Sequence, residues 1–197
     1  MSLPSSLSRS LVRLHRPVLH LALIATALTI TGCASLSKSE CLKGDWAAIG
    51  KSDGYGGRSP TRIDDHVEAC AEYGVRPDLA AYRQGYRQGL VFYCTGAKGF
   101  EDGRFSHLTY YGQCPQPAEA TFLAGREMGS DAANIDNEIA GLDSRIRDLQ
   151  KQYKDKDTPD GDRKGIAREI SDLDHRRAGL YTDLDRLLDR ARARGYY

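Results

Sequence analysis

The stretch Tyr82-Arg-Gln-Gly-Tyr-Arg-Gln-Gly-Leu-Val-Phe-Tyr-Cys94 decides the fold. Tyr82, Tyr86, Leu90 and Tyr93 recur at steps of four and three, the spacing of one helical face. Gly85 and Gly89 lie one turn apart beside them. A glycine inside a helix costs up to about 1 kcal/mol relative to alanine, so a pair at this spacing implies that a second backbone comes close. The signature recurs on either side: Trp46 precedes Gly50-x-x-x-Gly54, and Phe122 precedes Gly125-x-x-x-Gly129. Three such helices are expected to pack through their smooth faces. The predicted class is mainly α.

Moving outward, Pro77-Asp78 starts this helix, with the carboxylate in the first turn. The helix before it is expected to begin at Ser59-Pro60, to present Ile63, Val67 and Cys70 as its apolar face, and to stop at Gly74. Residues 95–113, with glycines at 96, 99, 103 and 112, read as an irregular loop or weak hairpin. The only tryptophan, Trp46, reads as a core anchor.

The chain of 197 residues opens with an export signal. Arg9, Arg13 and Arg16 precede a short apolar run from Pro17 to Ile30, followed by Ile30-Thr31-Gly32-Cys33. That order of basic, apolar and small residues marks secretion, and the run is too short for a comfortable span. A cysteine at this point resembles a bacterial lipobox, with Cys33 acylated and made the first residue. Ala34 rather than aspartate then implies delivery to the outer membrane. Three of the 28 basic residues leave with the signal, so 25 face 27 acidic ones and the remainder is near neutral. That balance lacks the basic footprint of nucleic-acid binding.

Four cysteines remain, Cys41, Cys70, Cys94 and Cys114, and in an oxidising compartment they read as two disulfides. Three connectivities are open. The sequential one, Cys41–Cys70 and Cys94–Cys114, is preferred because each bridge staples one local loop, stabilising by roughly 3 to 4 kcal/mol.

After Gly129 the pattern becomes heptad. Met128, Ala132, Ile135, Ile139, Leu142, Ile146, Leu149 and Tyr153 form one stripe. Ile166, Ile170, Leu173, Arg177, Leu180, Leu184, Leu187 and Ala191 form a second, across a polar turn with Pro159 and Gly161. Two such stripes make an antiparallel helical hairpin, an arm of about 40 Å at 1.5 Å per residue. Facing residues are expected to pair Ile146 with Leu173 and Ile139 with Leu180. Arg177 then falls opposite Leu142, its charge drawn to the edge. The predicted division is 1–32 signal, 33–40 lipidated flexible tether, 41–129 cysteine-stapled helical domain and 130–197 hairpin.

Cys41, Trp46, Gly50, Asp53-Gly54, Gly57, His66, Cys70, Gly74, Asp78, Tyr82, Gly85, Gly89-Leu90, Tyr93-Cys94, Gly103 and Cys114-Pro115 together resemble a bacterial envelope lipoprotein family known only as domain of unknown function 2799. The resemblance covers roughly Cys33 to Gly129 and implies a cell-envelope lipoprotein without an assigned activity or cofactor. It carries over no catalytic residue.

Several chemistries are weighed on the residues themselves. Gly44 to Gly50-Lys51-Ser52 has five intervening residues where a phosphate loop needs four. Histidines are few, the cysteines are committed, and no metal-ligand spacing stands out. No catalytic residue, metal or cofactor is therefore expected. His66, beside the apolar face, reads first as a hydrogen-bonded structural group; His66, Arg104 and His107 are the residues to examine for ligand contacts. The functional expectation is an envelope interaction or scaffold protein, held to the outer membrane through Cys33 and meeting a protein partner through the hairpin. The alternatives are a cell-wall or envelope enzyme, and a small-ligand or glycan-binding module using residues 95–113.

Overall fold

A computed structural model describes residues 34–106 and 109–197. The signal, Cys33 and His107 lie outside the described residues. Those described form seven helices and no strand: α1 (Lys38–Lys43), α2 (Trp46–Tyr55), α3 (Arg62–Ala71), α4 (Leu79–Tyr93), α5 (Gly96–Phe105), α6 (Ala118–Lys154) and α7 (Asp160–Ala193).

Local chemistry sets most of the helix starts. Ser37 and Glu40 close a reciprocal capping box on α1, and Gly44 ends that helix at φ 65°. Asp45, Asp78 and Thr95 accept amide hydrogens at the starts of α2, α4 and α5. The start expected at Ser59-Pro60 comes later. Ser59 Oγ accepts the Thr61 amide in a turn, and α3 begins at Arg62.

Two pairs of helices then close through their glycines. A Cβ on Gly50 would lie 2.1 Å from the Tyr82 carbonyl oxygen, and one on Gly85 would lie 1.9 Å from that of Ala47. One turn on, Gly54 meets the Tyr86 carbonyl and Gly89 that of Lys51. Residue numbers rise together along the contact, so α2 and α4 run parallel, with α3 as the crossover between them. The same pattern recurs between α5 and α6. Gly99 and Gly103 face the Phe122 and Arg126 carbonyls, while Gly125 and Gly129 face those of Gly96 and Phe100. In both couples each glycine meets the carbonyl three residues before the partner's glycine. The molecule is built from two copies of one parallel glycine-paired design.

This corrects two expectations. The glycine-paired helices number four in two couples, not three in one cluster, and residues 96–105 are helix rather than loop. The run of small residues that reads as irregular is a contact face whose partner lies beyond the connector.

Both sequential disulfides form, Cys41–Cys70 and Cys94–Cys114, with Cα–Cα distances of 5.4 and 5.5 Å. Each joins residues just before the first helix of a couple to the connector leading to the second. Around them Trp46, Tyr82, Tyr86, Leu90, Tyr93 and Phe122 form the first core. The residues after Cys33 are part of it: Leu36 is buried in that cluster, and Ser35 is hydrogen-bonded to His66. The flexible tether expected over 33–40 is a docked segment from Ser35 onward. A buried leucine, a capping box and a disulfide within seven residues leave it no slack.

The hairpin is antiparallel as expected. Glu138 pairs with Arg176 at 3.4 Å and Arg145 with Glu169 at 2.8 Å. Arg177 reaches the edge of the seam between Asp143 and Asp174, one residue from the position expected for it. α6 runs unbroken through residue 130, so the division drawn there falls inside one helix. Its lower half lies along the body: Phe100 packs with Ala132, Leu187, Leu188 and Ala191 in a second core, and Arg104 pairs with Asp136. Only the part of α6 beyond about residue 138 projects, close to 24 Å at 1.5 Å per residue.

Candidate functional site

His66 sits on α3 where the face reading placed Val67. The imidazole is 1% exposed, whereas Val67 is 42% exposed. A buried imidazole needs partners for both nitrogens. Nδ1 lies 2.7 Å from the Ser35 hydroxyl, and Nε2 lies 2.8 Å from Asp53 Oδ2. The Tyr82 hydroxyl donates to the same carboxylate oxygen at 2.7 Å, and its ring meets the imidazole edge-on. Four segments meet here: the N-terminal stretch before α1, α2, α3 and α4.

The electrostatics follow from crowding and pairing. Burial pushes the Asp53 carboxyl up, but the hydrogen bonds from His66 and Tyr82, with the charges of His66 and Arg62, outweigh it and hold the group below its ordinary value. The Tyr82 phenol is raised by burial and by its bond to Asp53. Tyr86, which donates to the Arg58 carbonyl, is pushed up to about 12 by burial and then by Asp53.

Serine, histidine and aspartate are the groups of a hydrolytic triad, but here they are wired differently. In a triad the carboxylate orients Nδ1 and the hydroxyl sits at Nε2; here the two are exchanged. Tyr82 also shares the carboxylate. The arrangement ties the N-terminal segment to the glycine-paired helices. A second hydrolase-like pattern, Gly50-Lys51-Ser52-Asp53-Gly54, has the letter order of a nucleophile elbow. An elbow requires a strand–turn–helix, whereas these residues lie inside α2 with Ser52 exposed and the glycines against α4.

Arg104 stands elsewhere, on α5, in a groove of about 790 Å³ between α5 and α6. Its guanidinium is held by Asp136 at 3.2 and 2.9 Å. Nearby, Arg126 lies 3.4 Å from Asp102 and over the Tyr110 ring. Phe105, 68% exposed, lines it too, with Leu123, Glu127, Ser130, Asn134 and Asn137 among the other walls. Of the residues marked for ligand contact, His66 is therefore an enclosed structural tie, Arg104 lines a groove, and His107 is outside the described residues. The partners of His66 went unpredicted. Asp53 and Tyr82 nevertheless stand in the resemblance pattern beside His66, and that co-occurrence is the signal that points to them.

Searches among curated proteins and among solved structures find no match to the chain. The residues that carry the first helix couple, the His66–Asp53–Tyr82 contacts and most of the second couple coincide with a match over residues 45–131 to the family described as Protein of unknown function (DUF2799).

Proposed function

We propose that the protein is a non-enzymatic envelope lipoprotein, anchored to the outer membrane by acylated Cys33, that works as an interaction or scaffold protein through its helical arm. The observation that carries this reading is the arm itself. α6 leaves the disulfide-stapled body as one continuous helix and returns as α7, lined with ion pairs and half-buried leucines. A long helical pair of this kind suits a protein partner. Two disulfides agree with an oxidising compartment. Among the described residues no helix is long and apolar enough to cross a membrane.

The test replaces residues 146–173 by a short turn in the full-length chain and measures its co-fractionation with envelope complexes. Loss of the complex with retained thermal unfolding of the body is expected. An unchanged complex would remove the arm from the function.

A second reading follows from the groove at Arg104. Both arginines are matched by carboxylates and Glu127 adds a third acid to the lining, so the groove offers no unmatched cation to an anion and would favour a neutral polar ligand. An exposed phenylalanine and two asparagines are groups that hold a sugar ring. Calorimetric titration with cell-wall oligosaccharides, comparing Asn137→Ala with the parent chain, distinguishes the two readings.

A further inference from the structure

We propose that the protein seats its N-terminal face directly on a lipid surface, with no linker between anchor and domain; this rests on the acylation of Cys33 proposed above. Ser35 is two residues from Cys33, a reach of at most about 7 Å. From Ser35 onward the chain is committed to the body. Its hydroxyl bonds to His66, Leu36 is 8% exposed in the first core, Ser37 and Glu40 lock the start of α1, and Cys41 is bridged to Cys70. An acyl anchor at Cys33 therefore pulls this face, and not a mobile tail, to the bilayer.

The outer side of α1 suits that position. Leu42 is 60% exposed, Lys43 follows it on the surface, and the Lys38 ammonium lies over the Tyr73 ring. An apolar side chain between lysines fits the boundary of acyl chains and anionic headgroups. The carboxylate of Glu40, which would oppose such contact, is turned back onto the Ser37 amide and hydroxyl. The consequence is mechanical. With the anchor held short and α6 running unbroken from body to tip, the arm is presented at a set height and angle.

The experiment uses the full-length lipidated chain in vesicles of phosphatidylethanolamine and phosphatidylglycerol with nitroxide-bearing headgroups. A fluorophore is attached through an azide-bearing residue at position 42, which avoids thiol chemistry beside Cys41, or at position 157 in the arm turn. A comparison chain carries a Gly-Ser insertion of about six residues between Ala34 and Ser35, adding roughly 14 Å of mean reach while leaving every contact from Ser35 onward in place. Strong quenching at 42, none at 157, and loss of the quenching at 42 after the insertion are expected. Acylated protein in which position 42 is quenched no more than in the insertion variant overturns the seat alone. An intact mass lacking acyl chains on Cys33 overturns both the seat and the anchoring reading.

Discussion

At the scale of single residues the molecule turns on His66, Asp53, Tyr82 and Ser35. Removing the imidazole leaves a largely enclosed carboxylate with one fewer donor. His66→Ala is expected to destabilise by about 2–4 kcal/mol, the cost of a lost charged hydrogen bond plus a cavity. Ser35→Ala removes one bond at a half-exposed site and costs about 0.5–1.5 kcal/mol, with its larger effect on local protection. Hydrogen exchange of residues 35–41, beside urea unfolding, checks both; protection unchanged in Ser35→Ala would contradict the tie.

The phenols set the pH dependence at the same scale. Tyr86 has its folded pKa raised, so its contribution is fully present below its unfolded value near 10 and is lost as pH rises towards about 12. Stability should therefore fall over that window, by about 2–3 kcal/mol from Tyr86 alone, and Tyr86→Phe should remove its share of the fall. Asp53, with its folded pKa lowered, works in the opposite direction: its contribution is present above the ordinary carboxylate range and is lost as pH falls below it. Unfolding midpoints across pH 3–12 for the parent chain, Asp53→Asn and Tyr86→Phe separate the two.

At the scale of elements, the glycine couples explain why four helices carry small residues where propensity disfavours them. The close approach brings Cα hydrogens onto carbonyl oxygens, worth about 0.5–1 kcal/mol each, and lets the flanking aromatics interlock. Gly85→Ala forces a methyl against the Ala47 carbonyl, which is backbone and has little room to move. The expected cost is about 1–3 kcal/mol of overpacking, despite the better helix propensity. Gly141 and Gly179, in α6 and α7, have nothing within 4 Å of an added Cβ. Alanine at either should stabilise by about 0.5–1 kcal/mol. Thermal unfolding of the three variants decides it: equal signs at Gly85 and Gly141 would mean that the couple does not depend on close approach. The α5 half of the second couple was illegible for a related reason. Gly96, Gly99, Gly103 and Gly112 have the composition of a loop, and only the carbonyls of α6 across from them turn 96–105 into a packing face.

At the scale of the whole molecule, each couple is closed by a disulfide, so loss of either should loosen one half. The Cys94–Cys114 bridge spans 20 residues and docks the connector whose Gln113 side chain donates to the Gly57 carbonyl. Replacing both cysteines by serine is expected to cost about 3 kcal/mol by the chain-entropy estimate. Proteolysis at 106–117 should accelerate, and limited digestion followed by mass mapping reads it. Digestion appearing instead between α2 and α3 would assign the two bridges opposite roles.

The sequence by itself determined the helical class, the Tyr82–Cys94 contact face and the antiparallel hairpin, because each follows from a period that local chemistry enforces; it favoured the sequential disulfides over two other pairings, and the structure decided for them. The heptad stripe needs only its own periodicity to specify a partner helix, and α6 and α7 supply each other. Tertiary structure alone decided what depends on residues far apart: that the glycine helices pair two by two in parallel, that half of the hairpin lies along α5, and that Ser35 and Leu36 belong to the core. It also decided that His66, not Val67, points inward. An imidazole is buried only where a hydroxyl and a carboxylate from distant segments wait for its two nitrogens, and no local pattern records that meeting.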